Sequence, residues 1–443
     1  METMHDMRRD RAWFEAELLQ RFLRYVRIYT TSDRHSTARP SSSRQLELSD
    51  ILAAELAELG IDDVYRDAPT GCIIARIPAH DAEEGGSPAA GAAAAAPTIG
   101  FMAHVDTAPD FSGEGVKPQV IHDYDGGDIA LTGSGHTLRP ADYPALADYA
   151  GDTVITSDGT TLLGSDDKAG VAEIMAAAAY LMSHPEIPHG PLEIIFTTDE
   201  EIGRGMDDFP GDKSRARYCY TVDGGDEGSV DAECFSASQA TVSFTGYPIH
   251  PGQARGKMVN PVSMAAGFVT QLPRSESPEA TDGRFGFYCP IELTAGLSEA
   301  TLHLLIRDFE TEEVERRIAA LRAIAAAVEA AYPGGSVKVQ SEQQYLNMRD
   351  IMREHPQVTE ILDRAIRATG IEPIWHSVRG GTDGARFTRM GVPTPNIFTG
   401  AHNMHSRFEW IALPSMVRAA KTVVNLAQLW SQTLRHRRAE RDG

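Results

Sequence analysis

Five short segments of the sequence carry side chains that bind cations or move protons: His104-Val105-Asp106, Ser165-Asp166-Asp167-Lys168, Asp199-Glu200-Glu201, Asp223-Gly224-Gly225 and Asn403-Met404-His405. In an extended chain residues i and i+2 face the same way, so His104 and Asp106 can reach one point. A carboxylate beside a ligating imidazole holds its ring and tautomer. Taken singly, each segment has an ordinary explanation. Asp166 and Asp167 open a helical pattern, as N-capping acids do. The acids at 199–201 read as a solvated loop and Asp223-Gly224-Gly225 as a turn. Taken together, two histidines and several carboxylates make up the nitrogen and oxygen donor set that zinc favours. A two-metal site with a bridging carboxylate, one histidine per metal and a spare glutamate contains what water attack on an amide needs. The metals polarise the carbonyl and acidify the water, and the glutamate takes its proton.

The surrounding pattern places these segments at the ends of elements. Apolar Phe14, Leu18, Phe22 and Val26 at four-residue spacing predict a first helix, and a second runs from about Ser43 to Gly60. Strands are predicted at Cys72 to Ile77, Thr98 to Ala103, Thr153 to Thr156, Leu192 to Thr197 and Tyr218 to Val222, with a helix over Lys168 to Met182. That alternation predicts a layered α/β domain with ligands at the carboxyl ends of its strands. From about Phe235 the order becomes strand, helix, strand, strand, helix, strand, ending at Ser336 to Gln340. It suits a four-stranded sheet with two helices on one face. After Tyr345 the first domain resumes. The expected organisation is a discontinuous catalytic domain, 1–234 and 346–443, interrupted by an inserted domain at 235–345. The Gly, Ser, Pro and Ala-rich stretch from Glu83 to Pro97 is expected to be a surface loop without chemistry.

Composition excludes several classes. With 443 residues, 42% of them hydrophobic, the chain can bury a large core and is not a disordered segment. No apolar run reaches the roughly 18 residues of a membrane span. The start lacks the basic and apolar regions of a signal peptide, and Cys72, Cys219, Cys234 and Cys289 have no repeated spacing. A reducing cytoplasm is the expected compartment. The 41 basic and 63 acidic side chains give a net charge of -22, which repels nucleic acids and anionic membranes and favours metal ions or a peptide amine.

The segments HVDTAPDFSG (104–113), TLLGSDDKAGVAEIM (161–175), FTTDEEIGRG (196–205) and TVDGG (221–225) resemble the peptidase T family of bacterial tripeptide aminopeptidases. That family lies within a group of dizinc exopeptidases related to carboxypeptidase G and the aminoacylases. The resemblance continues through IHPGQARGKMVNP (249–261), LIRDF (305–309), RGGTDGARF (379–387), PNIFTG (395–400) and NMHSRFEW (403–410), covering roughly Leu18 to Leu429. It implies an α/β fold: a zinc-exopeptidase-like catalytic domain, its mixed sheet flanked by helices, and an α+β insertion serving as a lid and a candidate dimerisation domain. It implies two zinc ions per subunit, with cobalt or manganese as alternatives. Asp166 would bridge them, His104 and Asp223 would complete one ligand set, and Glu201 and His405 the other. Asp106 would orient His104, and Glu200 would be the general base. A cis peptide is implied between Asp166 and Asp167. From the insertion His250 would stabilise the oxyanion, while Arg307 and Arg379 would face the substrate's carboxylate. The partner implied is a tripeptide, and a homodimer is one option for assembly. The competing activities are a dipeptidase, a carboxypeptidase or an N-acyl amino acid hydrolase on the same site, and, from another class, a metal- or peptide-binding protein without catalysis.

Overall fold

Four parallel neighbours, Leu192–Thr197, Ile99–His104, Tyr218–Gly224 and Asn396–Phe398, form the centre of an eight-stranded sheet. The computed structural model describes residues 5, 7–80 and 96–442, the side chains of 8 and 433–442 excepted. Every residue of Ile99–His104 and of Leu192–Thr197 is buried. Strands covered on both faces are mostly apolar, which is why these two were legible in the sequence although Glu193 and His104 are buried within them. Ile73–Ile77 and then Asp63–Arg66 extend one side antiparallel, and Ser229–Cys234 and Ile374–Val378 complete the other.

The chain divides into two compact units. The larger comprises Met1–Ala232, Ile351–His376 and Thr382–Gly443. In it the helix Ser165–Ser183 packs on the sheet beside the final helix Leu413–Asp442. A Cβ on Gly170 would lie 1.8 Å from the carbonyl oxygen of Val222, so only glycine lets that helix approach the strand. Phe14, Leu18 and Phe22 of the helix Arg11–Tyr25 are fully buried in the same core.

The smaller unit comprises Glu233–Asp350 with Ser377–Gly381. Its antiparallel sheet runs Phe287–Ala295, Glu299–Asp308, Ser236–Thr245, Ser336–Tyr345. Val242, Phe244, Leu302 and Leu304 pack with Met264 and Phe268 of the helix Pro261–Thr270 and Leu321 of the helix Thr311–Ala331. Alternating burial along Glu299–Asp308 puts both helices on one face, as the strand and helix order predicts.

Some elements depart from expectation. Val154–Ser157 joins a separate four-stranded sheet with Ala401–His402, Trp410–Ala412 and Pro118–Ile121 rather than the central one. An apolar run marks a strand but not the sheet it enters. Asp63–Arg66, Ser229–Cys234 and Ile374–Val378 lack a clean apolar pattern, so the sequence does not predict them. Most of the stretch from Glu83 to Pro97 lies outside the described residues. No helix among the described residues is long and apolar enough to cross a membrane.

Candidate active site

The carboxyl ends of the four central strands deliver the acidic and histidine segments to one place. His104 ends its strand, Asp223 lies at the end of Tyr218–Gly224, and Glu200 and Glu201 follow Leu192–Thr197. His405 lies past Asn396–Phe398 in the turn between Ala401–His402 and Trp410–Ala412 of the separate sheet, at φ +60°. Asp166 comes instead from the entrance of the helix Ser165–Ser183, and the Asp166–Asp167 peptide is cis.

Asp166 occupies the middle. Its Oδ1 is 3.1 Å from His104 Nε2, which is also 3.5 Å from Asp223 Oδ1. Its Oδ2 is 3.1 Å from His405 Nε2, which is also 3.1 Å from Glu201 Oε2. Two groups result, His104 with Asp166 and Asp223, and Asp166 with Glu201 and His405; in each, one donor atom per residue lies within 4.8 Å of the others. Both offer the imidazole and carboxylate donors that suit a divalent metal. Glu201 Oε1 is buried with no hydrogen-bond partner among the described residues, a donor atom available to a cation.

A ring of supporting contacts fixes these side chains. His104 Nδ1 lies 3.1 Å from the main-chain oxygen of Asp106 and 3.4 Å from its Oδ1, the orientation expected for Nε2 to face the cluster. The Asp106 carboxylate also accepts the main-chain N–H groups of Glu200 and Glu201, at 3.1 and 3.2 Å. Asp167 accepts the N–H of His104 at 3.1 Å.

Two further acids support the site in ways the sequence did not reveal. Asp199, at φ +63°, accepts the N–H of Ser41 at 2.6 Å and the amide of Gln45 at 2.7 Å, and it also accepts the Ser41 hydroxyl. It braces the turn before Glu200 rather than adding to a solvated acidic loop. Glu409, buried, accepts the N–H groups of Leu163, Gly164 and Ser165 at 2.7, 2.8 and 2.7 Å, that of Asp166 at 3.1 Å, and the Ser165 hydroxyl at 2.6 Å. A carboxylate in the NMHSRFEW segment was visible in the sequence, but the 243-residue separation from Asp166 concealed its partner.

Burial and mutual repulsion dominate the electrostatics. Burial drives the Glu200 carboxyl well above the ordinary range; His104 opposes that rise, and Asp223, Asp383 and Glu201 reinforce it. Burial, followed by the charge of Asp166, raises Glu201 to about 8, and burial raises Asp223 to about 7. Asp166 moves the other way, because hydrogen bonds from His104 and His405 outweigh its desolvation. Its bond and that of Glu201 raise His405 to about 11. Asp383, buried and unassigned by sequence reasoning, adds negative charge to the same neighbourhood. A crowded set of carboxylates with only two imidazoles is an environment that cations stabilise.

The remaining candidates belong to the smaller unit. His250 is exposed, and its Nδ1 accepts the N–H of Gly252 at 3.2 Å, so a neutral ring carries its proton on Nε2. Arg307 donates to the main-chain oxygens of Ser238 and Ile306 and to Gln344 Oε1. Arg379 donates to Thr281 Oγ1 at 2.8 Å and lies over the rings of Phe235 and Phe287. Among the described residues neither arginine forms an ion pair, the ordinary alternative for both.

Residues 157–429 match the model of peptidase family M20/M25/M40. The chain belongs to this family. Within it, the chain is 44% identical over 417 residues to peptidase T of Geobacillus sp. (strain WCH70), covering 94% of this chain and 99% of that one. Peptidase T of Listeria monocytogenes serotype 4a (strain HCC23) is 43% identical with the same coverage. Among solved structures, aminopeptidase PepT from Bacillus cereus matches with a TM-score of 0.70 and 23% identity over 94% of this chain and 98% of that one. A tripeptidase from Staphylococcus aureus matches with a TM-score of 0.73 and 20% identity over 94% and 99%. The M20 fold therefore comes from the structural likeness, and the peptidase T kinship from the sequence.

Proposed function

We propose that this chain is a dizinc aminopeptidase that releases the N-terminal residue from tripeptides. The observation that carries this reading is the near full-length 44% identity to a peptidase T, combined with two donor groups that share Asp166. His104, Asp166 and Asp223 would hold one ion, and Asp166, Glu201 and His405 the other. When bound, the two ions would polarise the scissile carbonyl and lower the pKa of the attacking water. Glu200 is the general base: it accepts a proton from the water and returns it to the departing amine. Asp106 serves that step twice, turning His104 towards the cluster and fixing the backbone beneath Glu200.

The smaller unit is proposed to act as a lid, with the domain borders near 235 and 345. Its His250 would donate from Nε2 to the tetrahedral oxyanion. Arg307 and Arg379 would meet the peptide's carboxylate, a role favoured by their lack of a described counter-ion. A cytoplasmic setting agrees with four cysteines that have no repeated spacing of a disulfide framework. A panel of di-, tri- and tetrapeptides with free and blocked ends tests the activity. Release of the first residue from tripeptides alone is the expected result. Cleavage of dipeptides, of C-terminal residues or of N-acyl amino acids would move the chain to a sister activity, and no cleavage with metals loaded would leave a binding protein.

A further inference from the structure

A cavity of about 720 Å³ opens in the larger unit between the segment from Tyr29 to Arg44 and the turn at Pro109 and Asp110. Its size is that of a small-ligand pocket. Its wall is tied to the candidate active site at both ends. On one side Thr31 Oγ1 and Thr107 Oγ1 are 2.9 Å apart and the N–H of Ser32 donates to the Thr107 oxygen at 3.2 Å, one residue beyond Asp106. On the other, Ser41 and Gln45 hold Asp199, one residue before Glu200. Asp110 joins the two spaces directly, because its Oδ2 lies 3.6 Å from His405 Nδ1 while its Oδ1 takes Arg34 at 3.2 Å.

Thr31, Ser32, Arg34 and Ser41 of the lining have described partners, which leaves Arg44 as the cation of the wall that no hydrogen bond among the described residues engages. Arg44 stacks over Tyr29 at 4.2 Å, and its nearest described carboxylate, Glu114, is 3.9 Å away with both side chains mostly exposed. Among the described residues its guanidinium makes no hydrogen bond. Stacking leaves the edge of the planar group, with all its N–H donors, available for a forked contact. The acids of the lining are already engaged: Asp33 accepts the N–H of His35, and Asp110 pairs with Arg34 and faces His405. The charged group left to meet a ligand is therefore the Arg44 guanidinium, and a planar anion is its complement.

We propose that this cavity is a substrate subsite that binds a carboxylate of the peptide, with Arg44 as the recognising group. The proposal rests on the peptidase reading and specifies what that peptidase selects. Two substrate groups share the chemistry, an acidic side chain and the C-terminal carboxylate. The test compares wild type, Arg44→Ala and Arg44→Lys, all metal-loaded, on three tripeptides: a neutral one with a free C-terminus, the same peptide amidated, and an amidated one with a glutamate side chain. Arg44 is exposed and can be replaced without opening the core. Arg44→Ala is expected to raise KM about tenfold for peptides that present the recognised carboxylate, the loss of one charge-assisted contact, with little change in kcat. Arg44→Lys should recover part of the loss. A penalty on the glutamate peptide identifies the side chain, and a penalty on the free terminus identifies the C-terminal carboxylate and moves that role from Arg307 and Arg379 to Arg44. Equal KM values for wild type and Arg44→Ala on all three peptides would overturn the proposal. Failure of wild type to cleave any of them would instead overturn the peptidase reading, and that is seen before any variant is made.

Discussion

Asp106 Oδ1 accepts the main-chain N–H of Glu200 at 3.1 Å, so the acid beside one candidate metal-binding histidine also fixes the backbone from which the proposed base projects. Glu200 and Glu201 are adjacent in sequence, yet only Glu201 lies within hydrogen-bonding distance of His405. Their amide substitutions should therefore differ in kind. Glu200→Gln is expected to keep both metals and lose about 10²- to 10⁴-fold in kcat, the contribution of a general base. Glu201→Gln should weaken one metal. Metal content by elemental analysis beside kcat checks this, and equal metal loss in the two variants would contradict the assignment.

Chelation should abolish hydrolysis, and zinc, cobalt or manganese should restore it, because both donor groups combine imidazole with carboxylate. Full activity in protein shown to be metal-free would end the dizinc reading.

Glu409→Gln tests support at a distance. The substitution preserves shape but removes the charge that accepts four main-chain N–H groups around Asp166, and it turns an NH₂ towards donors. Metal affinity should fall by about 10- to 100-fold, as when other groups behind a metal ligand are changed. Tm should fall with it. Unchanged metal titration would mean that the loop before Asp166 holds its shape without Glu409.

Arg307→Ala should weaken free tripeptides far more than their C-terminal amides if Arg307 meets the terminal carboxylate. His250→Ala should lower kcat on both by about 10²- to 10³-fold, as expected for an oxyanion donor. An equal effect of Arg307→Ala on free and amidated peptides would remove it from substrate recognition.

Gly170→Ala is expected to destabilise the larger unit severely, because the added methyl group would overlap the Val222 oxygen in a buried interface. Urea unfolding checks it, and a midpoint like that of wild type would show that the helix can shift away from the strand.

The sequence by itself determined the types of element and the chemistry available at their ends. Strands buried on both faces are mostly apolar, so Ile99–His104 and Leu192–Thr197 announced themselves despite the buried Glu193, which Arg76 and Ser214 hold, and the polar residues at and after their ends marked the candidate ligand-binding edge. The alternation along Glu299–Asp308 likewise made the one-sided sheet of the smaller unit readable. Which acids face the cluster and which support it was decided only in three dimensions. Asp199 and Glu200 are neighbours of the same charge, but a left-handed backbone at Asp199 turns its carboxylate to Ser41 and Gln45. Glu409 reaches the loop before Asp166 because Trp410–Ala412 pairs with Val154–Ser157, a long-range pairing that local pattern does not encode. Local periodicity records burial, whereas hydrogen-bond partners far apart in the chain meet only when the sheets have paired.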